Sequence, residues 1–148
     1  MTTDQNKEVV RRFFRAFEDH DETAMTSVLS PELQAYVHGS TDRVDREQML
    51  QGIRDWNTAF SNTRFTLEDQ VAEGDLVACR VTMTAVHSGA EYQGIAPAGL
   101  PVKTESLTLE RVVDGRIVER RVASNWAEVI AQITPATATA AAASLHDA

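Results

Sequence analysis

Few side chains in this sequence combine a reactive type with a position that could shield it from bulk water. His87 ends an apolar alternating run, Val77, Cys79, Val81, Met83 and Ala85. An imidazole there, titrating near neutrality, is either a general base or a core-edge residue bonded to a backbone carbonyl. His38 closes the short run Tyr36-Val37-His38 and carries the same pair of readings. Glu105 and Glu110 are an odd number of residues apart on one expected strand, so at most one faces inward. A carboxylate in apolar surroundings has a raised pKa and can act as an acid; Glu105 is the candidate. Cys79 is the only cysteine, which excludes an intrachain disulfide and a cysteine-based zinc site, and its neighbours make it a core thiol. No GxGxxG, Walker loop or His-Glu-x-x-His is present, so an enzyme built on this chain is expected to need no nucleotide and no dedicated metal, and no cofactor is predicted.

The elements that must position these residues are legible from periodicity. Val10, Phe13, Phe14 and Phe17 recur at helical spacing, and a shorter helix carrying Met25, Val28 and Leu29 follows, ended by Ser30-Pro31. Leu33 to His38 reads as a short strand. Asp45 with Gln48 three residues on is a capping box, opening a helix through Met49, Ile53, Trp56 and Phe60 that closes near Ser61-Asn62. Period-two strands then run through Phe65, Leu67 and Val71, through Val77 to His87, and over 102–113. Asp114-Gly115 marks a tight hairpin, Arg116 to Trp126 returns as the partner strand, and a short helix spans Ala127 to Ile133. Alternation sets Ile117, Glu119, Arg121, Ala123 and Asn125 on one face of that strand. Helices first and sheet afterwards imply an α+β class with helices covering one sheet face. The core residues Phe14, Phe17, Trp56 and Met83, with Tyr92 in the Gly/Pro-containing loop before the 102–113 strand, are the candidates to line any internal pocket.

Composition limits the partners. The 148 residues suit one domain, over 1–133, with an Ala/Thr-rich tail from 134 read as disordered. A formal net charge of −8 disfavours a phosphate backbone as partner, and no stretch reaches the length of a membrane span. The polar N-terminus lacks the apolar segment of a secretory signal, so cytoplasmic residence is expected.

Five local patterns, in order, carry a family likeness: Asn6-Lys7-Glu8-Val9-Val10-Arg11-Arg12-Phe13-Phe14, Glu73-Gly74-Asp75, Ala85-Val86-His87-Ser88-Gly89, Gly94-Ile95-Ala96-Pro97-Ala98-Gly99 and Asp114-Gly115-Arg116-Ile117-Val118-Glu119. The chain resembles the SnoaL-like polyketide cyclases and hydroxylases of the nuclear-transport-factor-2-like superfamily. That resemblance implies a cone-shaped α+β barrel, its curved, mostly antiparallel sheet wrapped around a pocket covered by N-terminal helices. It places His87 near the cavity and turns the Arg121–Asn125 end of the last strand inward. Arg121 would then stabilise an enolate or phenolate, and Asn125 would bind a quinone or ester carbonyl. Where the cyclases carry Trp and a proposed acid/base Asp, this chain has Arg121 and Asn125, and an amide cannot relay a proton.

The resemblance implies an enzyme working without cofactor on an aromatic polyketide-type intermediate, by cyclisation or by hydroxylation with a possible reductase partner. Catalysis would use His87, Arg121, Asn125 and Glu105, with substrate held by Phe14, Phe17, His38, Trp56, Met83 and Tyr92. An isomerase or epoxide hydrolase of the same fold is a second reading. A non-catalytic ligand-binding module is a third. A homodimer through the open sheet face is expected in each.

Overall fold

The computed structural model describes residues 1–136. Four helices and five strands follow in the order α1 (Thr3–Glu18), α2 (Glu22–Ser27), β1 (Leu29–Tyr36), α3 (Arg46–Ala59), β2 (Phe60–Glu73), β3 (Leu76–His87), β4 (Pro101–Val113), β5 (Arg116–Ser124) and α4 (Trp126–Ile133). The strands form one sheet in the order β1-β5-β4-β3-β2, parallel between β1 and β5 and antiparallel elsewhere. The class is α+β, as expected. The sheet is open, with β1 and β2 at its edges, so the expected barrel does not close.

The helices begin where their caps dictate. Asp45 and Gln48 form the reciprocal box at α3, and Thr2 and Gln5 form another at α1. Phe13 and Phe14 on α1 pack with Val77, Cys79 and Val81 of β3 in one apolar cluster. Trp56, Phe60 and Met83 build a second cluster with Val102, Val129 and Ile133.

Three boundaries depart from the periodic reading. Leu29 is not helical: α2 ends at Ser27 and β1 begins four residues before the expected Leu33, with Pro31 tolerated on an edge strand. α3 stops at Ala59, and Phe60 already pairs with His87 in the sheet. Val71 points outward, because β2 gains an extra residue at Glu68, between Leu67 and Asp69, that reverses its alternation. Most of the tail expected from 134 lies outside the described residues. Among the described residues no helix is long and apolar enough to cross a membrane.

Candidate functional site

Between the helices and the inner sheet face lies a cavity of about 710 Å³. That is within the range of small-molecule sites, which is roughly 300–1,000 Å³. Its walls are aromatic: Phe13, Phe14 and Phe17 from α1, Trp56 from α3, Phe65 from β2, Tyr92 from the loop after β3 and Trp126 from α4. Trp56 is fixed on both sides, its ring stacked on Phe60 at 3.7 Å and its Nε1–H donating to Thr63 Oγ1 at 3.0 Å. Tyr92 stands edge-on to Trp56, Phe60 and Trp126, and burial pushes its hydroxyl up to about 12, so it stays a protonated donor.

A polar strip crosses this apolar surface along β4 and β5. Thr104, Ser106, Arg120 and Ser124 line the cavity, with the apolar Val122 between the last two. At the deep end Arg120 sits opposite Glu110 in the ladder, and its Nη1 donates to the Glu110 carboxylate, which is wholly buried. Thr108 Oγ1 donates to the same carboxylate at 3.2 Å. The guanidinium lies 4.5 Å from the Phe13 ring centroid and 5.2 Å from that of Phe14. Burial raises the Glu110 carboxyl above its ordinary range, while Arg120 and Thr108 oppose that shift. Beneath the strip, burial first and the Glu110 charge second hold the Cys79 thiol up at about 11, which makes it an inert packing group.

At the rim, His38 takes a left-handed backbone (φ 55°), stacks on Trp126 at 3.7 Å and shares a 3.2 Å hydrogen bond between Nδ1 and Ser124 Oγ. Although the residue is exposed, desolvation of the imidazole where it packs on Trp126 pulls its pKa below the usual histidine value. In the tautomer that donates Nδ1–H to Ser124, Nε2 is left free to accept a proton.

All six residues expected to hold a substrate, Phe14, Phe17, His38, Trp56, Met83 and Tyr92, line this cavity. The four expected to do chemistry lie elsewhere. His87 is fully buried behind the Phe60 ring, and its Nε2 lies 2.9 Å from the Ala90 carbonyl; it anchors the loop and does not line the cavity. Glu105 is on the outer face, paired with Arg80 at 3.0 Å, and Glu110 is the inward carboxylate instead. Arg121 is exposed, bonded to Glu119 and lying over the Tyr36 ring. Asn125 is exposed, and its side chain caps α4 by accepting from Glu128 N.

One event explains the reversal on β5. Ile117 pairs with Val112 and Glu119 with Arg111, which leaves Val118 as an extra residue. Such a bulge moves every later side chain to the opposite face. Arg120, Val122 and Ser124 therefore face in, and Arg121 and Ala123 face out. A signal was available. Without the bulge, the Asp114-Gly115 hairpin would set Glu110 opposite Glu119, two like charges. With it the pairs are Arg111–Glu119 and Glu110–Arg120. Trp126 was missed because it was read as the end of a strand; it is the first residue of α4.

The family model of SnoaL-like polyketide cyclases matches residues 7–133. Among solved structures, the chain is similar to IdmH of Streptomyces antibioticus, a proposed polyketide cyclase, at 29% identity and a TM-score of 0.76, covering 86% of this chain and 97% of that one. It is similar in fold to AclR of Streptomyces galilaeus, a proposed hydroxylase, at 24% identity and a TM-score of 0.81, covering 89% and 97%. A proposed SnoaL-like polyketide cyclase from a Jannaschia species superposes with a TM-score of 0.80 at 24% identity, covering 89% and 93%. Comparison with curated protein sequences found no match.

Proposed function

The chain belongs to the SnoaL-like polyketide cyclase family, and from that membership we propose that it is an enzyme that deprotonates a fused aromatic polyketide-type intermediate inside the cavity. The observation that carries this reading is the pairing of a large aromatic cavity with an inward cation, Arg120, at one end and an imidazole, His38, at the other. Ser124, the partner of His38, lies four residues along β5 from Arg120, about 13 Å at strand rise. No small substrate touches both. A conjugated polycycle does: the proton leaves to His38 at the rim, and the negative charge spreads through the rings towards Arg120.

The resulting enolate serves either outcome. Attack on a carbonyl of the same molecule closes a ring without change of mass. Reaction with dioxygen, with two electrons from a reductase partner, adds one oxygen and releases water. Tyr92 hydrogen-bonds the substrate at the mouth, and the walls exclude water from the anion. Aerobic incubation with anthraquinone-type polyketide esters, followed by product masses, tests the reading. A product of equal mass assigns cyclisation, one extra oxygen assigns hydroxylation, and no product with no shift in melting temperature contradicts both.

The outer sheet face supports a homodimer. Leu107 is 58% exposed and lies beside Leu109 and Val113 on β4. Sedimentation of Leu107→Lys at micromolar concentration is expected to show a monomer where the parent is a dimer.

A further inference from the structure

We propose that the cavity selects ligands bearing oxygen atoms along one edge, read by a row of hydroxyls formed by Thr104, Ser106 and Ser124. The inference rests on the aromatic-substrate reading and adds to it the residues that read the ligand's oxygens. Thr104 is 7% exposed and lines the cavity, yet its Oγ1 is buried with no hydrogen-bond partner. Buried hydroxyls are ordinarily satisfied, so an orphan at a cavity wall marks a place where a ligand atom completes the bond. Ser106, two residues on, lines the same wall and makes no side-chain hydrogen bond among the described residues. Ser124 faces Ser106 directly across the β4–β5 ladder, and its Oγ is held at 3.2 Å by His38 Nδ1.

Met83, the ladder partner of Thr104, and Val122, two residues before Ser124, are apolar, and across the cavity α1 presents Phe13, Phe14 and Phe17 while α3 presents Trp56 together with Gln48, Asp55 and Thr58. A flat ligand lying against the rings therefore turns one edge to the row of hydroxyls. A hydroxyl both donates and accepts, so the row fits carbonyl and phenol oxygens alike. A site built to bond a ligand oxygen rejects the analogue lacking it, because its own groups are then left unpaired.

The test uses quenching of tryptophan fluorescence, since Trp56 and Trp126 are the only tryptophans and both line the cavity. The probes are danthron, whose two hydroxyls flank one quinone carbonyl, and anthracene, which has no oxygen. The parent protein is expected to bind danthron more tightly. Thr104→Val should weaken danthron about tenfold, the worth of one hydrogen bond. It should leave anthracene unchanged and not lower the melting temperature, because an orphan polar group has been removed. Ser106→Ala should act in the same direction. Equal affinity of the parent for both probes, or a loss common to both in Thr104→Val, overturns the hydroxyl row alone. No quenching by either probe overturns the aromatic-pocket reading and this inference with it.

Discussion

At the scale of the residue, the proposed deprotonation assigns the proton to His38 and the developing negative charge to Arg120, and each assignment gives a separable prediction. A base must be neutral to act, and desolvation of the ring stacked on Trp126 lowers the His38 pKa. The acid limb of kcat/KM is therefore expected below the ordinary histidine value of about 6.5, and His38→Gln should remove that limb while cutting kcat by about a hundredfold. Arg120→Met leaves the buried Glu110 without its counter-charge, at a cost of about 3 kcal/mol in denaturant unfolding. The double variant Glu110→Leu with Arg120→Met should regain most of that stability and none of the turnover, which separates the structural role of the pair from the catalytic one. The pair also sets a sign for pH. Burial raises the Glu110 pKa in the folded state, so the native protein binds more protons than the unfolded chain. That contribution is fully present below the unfolded pKa and is lost as pH rises through the folded one, and the double variant should lack it. Alternation set Arg121 and Asn125 on one face and the family resemblance turned that face inward, because a single inserted residue, Val118, is invisible to a period-two reading. The cavity-lining residues were legible, since apolar side chains that build a core also line its cavity.

At the scale of the element, the α3 cap and the Asp114-Gly115 hairpin were readable from sequence because each is decided by a few adjacent residues. Asp45→Ala is expected to cost about 1 kcal/mol in thermal or denaturant unfolding, with ligand affinity little changed. The extra residues in β2 and β5 depend on which neighbour a strand meets, so they show only when two strands are paired, as the Glu110–Glu119 clash across the hairpin does for β5. The loop after β3 is pinned to α3 by Gly89 N and Ala90 N, which donate to Ala59 O at 2.9 Å and Thr58 O at 3.0 Å. A Cβ at Gly89 would collide with the Thr58 carbonyl oxygen. Gly89→Ala should therefore displace the segment that carries Tyr92. The expected readouts are a loss of about 1–3 kcal/mol, as for overpacking, and weaker quenching by danthron. His87 belongs to the same anchor through Nε2 and the Ala90 carbonyl, while its buried Nδ1 has no hydrogen-bond partner.

At the scale of the whole molecule, the fold was legible because helix-first, sheet-last order leaves few ways to bury both faces. The open sheet was not, since closure depends on whether edge strands meet, and β1 and β2 stay apart. The same architecture places an aromatic cavity over a sheet whose inner face carries a single polar strip. Proton abstraction within that cavity is the step common to the proposed ring closure and oxygen insertion. It is read most directly by following, without oxygen, the exchange of the acidic C–H of an anthraquinone-type polyketide ester into deuterated water, by mass. The parent protein is expected to accelerate exchange well above the buffer rate, with His38→Gln and Arg120→Met close to that rate. Exchange at the buffer rate in the parent, or full acceleration in both variants, would contradict it.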